Sequence, residues 1–150
     1  MKSLVTNLLL FFAIFSSLVF YNYFVAQKKL ANKKDSVTQI SITSSQASTN
    51  LSGPFLVSWY VDAPADFKTN YTTIYYGYSS TPSALTKNDS PSSVGYQFSE
   101  PDYKIGNFSL PDNFELNILP PKSGRIWYRA YAKLREDHLW SEEKYIDVLP

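Results

Sequence analysis

The sequence contains no cysteine. Disulfides, thiolate nucleophiles and cysteine-ligated zinc or iron–sulfur centres are therefore excluded. Histidine is nearly absent as well: His138 is the only one. Glycine is scarce, five residues in 150, and no Walker loop, G-x-S-x-G, HExxH or calcium-loop spacing occurs. A strong excess of one charge is also lacking, at a formal net charge of +1. That charge is unevenly spread, because Lys2, Lys28, Lys29, Lys33 and Lys34 face the single acid Asp35 within residues 1–35. The remainder keeps nine basic and twelve acidic residues. Nucleic acid is excluded as a main partner on that ground, since neutralising phosphates requires a basic surface. Aromatic residues, by contrast, are abundant: 17% Phe, Trp and Tyr, a composition that favours a β-rich globule over a disordered chain.

The run "LVTNLLLFFAIFSSLVFYNYFVA", residues 4–26, carries no charge. As a helix its 23 residues reach ~34 Å, enough for a ~30 Å hydrocarbon layer. Phe20, Tyr21, Tyr23 and Phe24 crowd its far end, where amphipathic rings favour the headgroup level. The expectation is a transmembrane anchor over 1–26 that contacts membrane lipid through 4–26. A cleaved signal peptide is the alternative; the run exceeds the usual ~7–15 apolar residues, and Phe24 stands where a cleavage site wants a small side chain. Residues 27–35, "QKKLANKKD", form a polar linker whose lysines can lie against anionic headgroups, or simply a solvated stalk. A plain lysine count would keep the carboxy-terminal part in the cytoplasm. The export-like beginning argues the reverse, and the expected localisation is a single-pass membrane protein with an extracytoplasmic β domain. Sequons stand at Asn50, Asn70, Asn88 and Asn107, and matter only in a glycosylating pathway.

From Ser36 the hydrophobic period changes to two. "SVTQISIT", "GPFLVSWYV", "YTTIYYGYSS", "NFELNIL", "RIWYRAYAKL" and "LWSEEKYIDVL" read as strands, with "VGYQFS" and "YKIGNFS" as shorter ones. Segments bearing proline or glycine separate them, such as "STPSALTKNDSPSS" and "LPPKSG". Roughly seven short strands at this spacing predict an all-β sandwich over 36–150.

Several of these pieces together resemble a fibronectin type III domain. They are Trp59 in "FLVSWYVDAP", "IYYG" at 74–77, Leu119 with its proline turn, the alternating 126–132 strand, and Ser141 ahead of the last strand. "IYYGYSSTPSAL" is similar to the variant that precedes the catalytic domain of purple acid phosphatases. The resemblance implies a seven-stranded, immunoglobulin-like sandwich and brings no activity, because no metal-binding domain is present. Ile126 departs from the family, which usually has a tyrosine there bonded back to the preceding turn; Tyr128 is the nearest substitute.

The resemblance also turns Ile74, Tyr76, Ile126, Tyr128, Ala130 and Ala132 inward. Tyr75, Trp127, Arg129 and Tyr131 then point outward from neighbouring strands. Two readings fit them: cross-strand pairing that stabilises the sheet, and a contact face, because Tyr, Trp and Arg dominate binding hot spots. These four form the candidate partner-binding face. His138 with Glu136 and Asp137 allows a metal or acid–base reading, yet a turn histidine among charges is ordinarily just solvated. Asp62, Asp66, Asp102 and Asp112 sit beside prolines in separate turns, where Asp commonly serves the backbone. No catalytic, cofactor or metal site and no small-molecule substrate is implied.

The function expected is therefore non-catalytic: a membrane-anchored surface protein that binds or builds, with a protein or glycan partner. A protein-contact module leads. A carbohydrate-binding module using the rings as stacking platforms is the alternative. A pilin-like subunit comes last, since the glycine and the early helical glutamate of pilins are missing. Alternation also gives a geometric expectation: the loops near 62–70 and 133–139 share the pole at which the first strand begins, and those near 44–53 and 120–125 face away.

Overall fold

The stretch "FLVSWYVD" becomes an eight-residue strand, Phe55–Asp62, in which every second residue is buried. That is the pattern dictated by a pleat with one face on a core. The computed structural model describes residues 14–27, 38–44 and 46–150. It divides into two units, Met1–Ser36 and Val37–Pro150. In the first, residues 14–27 form helix α1. Its apolar side chains, Ile14, Phe15, Leu18, Val19, Phe20, Tyr21, Tyr23 and Phe24, are all exposed. Among the described residues no helix is long and apolar enough to cross a membrane. Residues 4–13 of the expected anchor and 28–35 of the linker lie outside the described residues.

The second unit is mostly β. Its elements are β1 (Gln39–Ile42), β2 (Ser48–Asn50), β3 (Phe55–Asp62), β4 (Lys68–Thr69), β5 (Tyr71–Gly77), α2 (Pro91–Val94), β6 (Phe98–Ser99), β7 (Phe108–Ser109), β8 (Asp112–Ile118), β9 (Gly124–Leu134), β10 (Asp137–Trp140) and β11 (Lys144–Leu149). One sheet has the order β1-β3-β8. The larger one runs β2-β11-β9-β5-β6, with β10 also on β9. β4 and β7 pair separately. All pairings are antiparallel except β2 with β11.

The core lies between the apolar faces of the two larger sheets. Phe55, Val57, Trp59 and Val61 of β3 and Phe114, Leu116 and Ile118 of β8 come from one side. Ile74 and Tyr76 of β5, Ile126, Tyr128, Ala130 and Ala132 of β9, and Ile146 and Val148 of β11 come from the other. The inward set expected from the sequence is therefore buried. Each large side chain removed from water here contributes about 1.5–3 kcal/mol. Trp59 is the centre: its ring stacks on Phe114 with centroids 5.6 Å apart. Its indole N–H donates across the core to Thr72 Oγ1 at 2.9 Å, and that hydroxyl donates to the Tyr131 carbonyl at 2.6 Å.

A tyrosine ties down the turn that leads into β9. Tyr78, just past β5, donates its hydroxyl to the Lys122 carbonyl at 3.0 Å and accepts from the Lys122 N–H at 3.1 Å. The turn it ties down ends at Gly124, whose φ of +124° suits a residue without a Cβ.

Three expectations about strands need correction. "LWSEEKYIDVL" is two strands, not one, because at Ser141 the hydroxyl accepts from the Ala130 N–H and the 141–143 stretch leaves the ladder. "VGYQFS" and "YKIGNFS" supply only two paired residues each, and β2 was not expected. The described residues thus hold eleven strands in three sheets, and a single helical turn, α2, inside what reads as loop. The poles are arranged as alternation requires. Gln39 pairs with Asp62 and Tyr71 with Lys133, so the 62–70 and 133–139 loops sit where β1 begins. Leu149 pairs with Asn50 and Val148 with Gly124 at the other end.

Candidate functional site

Side chains that alternate away from the core on β5 and β9 form the outer face of the larger sheet. Tyr75 stands opposite Arg129, and Thr73 opposite Tyr131. Tyr75, Trp127, Arg129 and Tyr131 therefore share one face, as expected. Their accessibility is not as expected: Arg129 is 5% exposed and Tyr131 1%, while Tyr75 and Trp127 are half-buried. The reason is the connection between β5 and β6, which lies against this face.

Arg129 is what holds it there. Nη2 donates to the carbonyls of Thr81 (2.8 Å) and Ser83 (3.1 Å), Nη1 to that of Ser141 (2.7 Å), and Nε to the Tyr96 hydroxyl (3.2 Å). A guanidinium taken out of water costs several kcal/mol unless its fork is filled, and here the fork meets four oxygens. Glu143 completes the arrangement. Its carboxylate accepts from the Ser80 hydroxyl (2.5 Å), the Thr81 N–H (2.7 Å) and the Tyr96 hydroxyl (2.5 Å). Burial pushes that carboxyl up, but the three donors and the Arg129 charge outweigh it, and the group is held below the ordinary glutamate range.

Beside this lock lies an aromatic cluster. Tyr131 meets Tyr71, Tyr75 and Trp140 at centroid distances of 5.3, 5.6 and 4.7 Å. The hydroxyls of Tyr71 and Tyr75 are hydrogen-bonded to each other. Trp140 donates its indole N–H to the Asp89 carbonyl at 2.8 Å, a second tie to the same connection. Burial raises the pKa of Tyr75, Tyr96 and Tyr131, reinforced by Tyr71 at Tyr75 and by the bond to Glu143 at Tyr96. These phenols stay neutral at physiological pH and offer no phenolate nucleophile.

A cleft of about 730 Å3 opens at the pole where β1 begins and is walled by Ile40, Phe67, Lys87, Leu134 and His138. A hydrogen bond of 2.6 Å links His138 Nδ1 with the Tyr131 hydroxyl. Asp137 of β10 pairs with Lys87 of the β5–β6 connection at 3.8 Å, and Glu136 lines the same cleft. No three His, Asp or Glu side chains among the described residues are placed to hold one metal ion. Of the four aspartates read as turn residues, Asp62 ends β3 and Asp112 begins β8 opposite Val61, Asp66 lies in the proline turn that follows Asp62, and Asp112 accepts from the N–H of its neighbour Asn113 at 2.8 Å.

One part of the outer face remains open. Trp127 sits opposite Tyr145 of β11, their centroids 5.1 Å apart and their planes 54° apart. Arg125 lies 4.3 Å over the Tyr145 ring and donates twice to Asp147, at 2.8 and 3.0 Å. Tyr145 is 48% exposed. Sequence reasoning singled out Trp127 but missed Tyr145 and Arg125. The signal was present in "KYIDVL": with Ile146 and Val148 inward, Tyr145 and Asp147 must point out. No protein-family model matches the chain, and no curated protein matches it.

Proposed function

We propose that this chain is a single-pass, membrane-anchored surface protein that displays one fibronectin type III-like domain for protein–protein contact and has no catalytic role. The observation that carries the reading is the division of the outer face. Arg129, Glu143, Tyr96 and Tyr131 are consumed by internal bonds, whereas Trp127, Tyr145 and Arg125 cluster at the open end. Those are the residue types that anchor protein interfaces. Their tilted rings, with Arg125 over Tyr145, favour a protein contact over the flat stacking that a sugar ring wants. The strand orders β1-β3-β8 and β11-β9-β5 support the fibronectin type III-like assignment, being those of the first, second and fifth and of the last, sixth and third strands of such a sandwich. The uncharged 4–26 run, apolar on every side of the α1 helix, supports the anchor.

The test is protease treatment of intact cells, combined with extraction. The reading expects the β domain to be cleaved from outside and the full-length chain to require detergent. Protection of the domain until lysis, or release of the intact chain by salt alone, overturns it.

A further inference from the structure

The β domain contains six asparagines after residue 37: Asn50, Asn70, Asn88, Asn107, Asn113 and Asn117. The first four open an Asn-x-Ser/Thr triplet with no proline at x. Ser and Thr are about a fifth of this domain, so chance alone gives ~1 such triplet from six asparagines. The placement is as uneven as the number. Asn113 and Asn117, without triplets, lie inside β8. All four with triplets lie at strand ends or in turns, and all four are exposed. Asn50 ends β2, Asn70 occupies the one-residue break between β4 and β5, Asn88 sits in the turn after Thr86, and Asn107 precedes β7.

We propose that Asn50, Asn70, Asn88 and Asn107 are N-glycosylation sites, each carrying an oligosaccharide on its side-chain nitrogen. The proposal rests on the extracytoplasmic placement of the domain. A glycan at each site projects into water without displacing a packed side chain. Asn70 and Asn107 flank the paired residues Thr69 and Phe108, so two glycans share the pole at which β1 begins. Asn50 is at the opposite pole, and Asn88 is on the connection that Arg129 and Trp140 hold. None lies on β9 or β11, and Asn50 is on the neighbouring strand β2, opposite Leu149 and on the outer face that also carries Asp147 and Tyr145. The Asn70 triplet also dates the modification. Its Thr72 hydroxyl is buried and engaged by Trp59 and Tyr131, so a transferase reads it before β5 docks.

The experiment uses the full-length chain from its own cells. Tryptic peptides spanning the four asparagines are weighed, and Asn→Gln variants are compared at each site; Asn70→Gln is used because changing Thr72 would disturb the core. Protease treatment of intact cells is run in parallel. The expected result is a hexose-containing mass on the sequon peptides and the loss of one glycan's mass per variant. Four unmodified peptides from a domain that protease reaches from outside overturn the glycan proposal alone. Four unmodified peptides from a protease-protected domain overturn the extracytoplasmic placement with it.

Discussion

Arg129 and Glu143 are joined through a single phenol: Tyr96 donates to Glu143 Oε1 at 2.5 Å while its oxygen accepts from Arg129 Nε at 3.2 Å. The same two charged groups bind opposite sides of the 80–83 backbone, Glu143 taking the Thr81 N–H and Arg129 the Thr81 and Ser83 carbonyls. A segment with few apolar residues is thereby pinned to the sheet by hydrogen bonds rather than by hydrophobic burial.

Removing the cation should therefore cost more than its pairing suggests. Arg129→Leu leaves three carbonyls without their donor and Glu143 without its compensating charge, and a loss of about 3–5 kcal/mol is expected. Arg129→Lys keeps the charge but not the fork and should fall between. Urea unfolding checks this. Variants within about 1 kcal/mol of the parent would show that the lock adds nothing to stability.

Glu143 gives the lock a pH dependence of known sign. Its carboxyl is held below the usual ~4.3, so the folded state binds fewer protons than the unfolded one near that pH. Its contribution is complete above the ordinary glutamate value and is lost as pH falls through the depressed one. Asp147, lowered by the hydrogen bond from Arg125, and Asp89, lowered by the Thr86 N–H, act in the same direction. Glu143→Gln should flatten the acid limb of stability against pH without abolishing it. An unchanged limb would mean that solvent screens the carboxylate.

The framework of this domain was legible because its strands are amphipathic. In β3 and β8 alternation grouped Trp59 and Leu116 with the residues that prove buried, and in β5 and β9 it was the resemblance to a fibronectin type III domain that turned Ile74 and Tyr128 inward. Trp127 and Tyr75 were likewise assigned to the correct face. What alternation cannot show is cover. "STPSALTKNDSPSS" has no hydrophobic stripe, and its docking depends on main-chain carbonyls meeting Arg129 and Trp140. Nothing in a sequence marks a carbonyl as a partner, so Arg129 and Tyr131 read as open surface. β2 was invisible for a related reason: "STN" is held by its backbone along β11.

The Trp59–Thr72–Tyr131 relay offers a core test. Thr72→Val keeps the volume and removes the hydroxyl, leaving the indole N–H of Trp59 unsatisfied inside the sandwich. A cost of about 1–3 kcal/mol is expected. A neutral result would show that the indole finds water or another acceptor.

At the far pole, Tyr78 and Gly124 act on one turn. Tyr78→Phe deletes both bonds to Lys122 and should cost about 1 kcal/mol. Gly124→Ala forces a Cβ onto a φ of +124° and should cost about 1–3 kcal/mol. Thermal unfolding of the two variants and their combination checks this. Costs that add fully would mean that the hydroxyl and the glycine act independently.

The open patch makes the contact reading testable without a known partner. Tyr145 is half-exposed and Arg125 lies on it, so Tyr145→Ala should cost the fold no more than ~1 kcal/mol. Losing an interface anchor costs ~2 kcal/mol or more of binding. A photo-crosslinking residue at position 145 of the full-length chain should give one discrete protein adduct on intact cells, lost on Arg125→Ala. The same residue at position 117, an exposed site on β8 of the other sheet, should give none. Equal labelling at 117 and 145, or none at 145, would leave Trp127 and Tyr145 with only the work of holding β9 to β11.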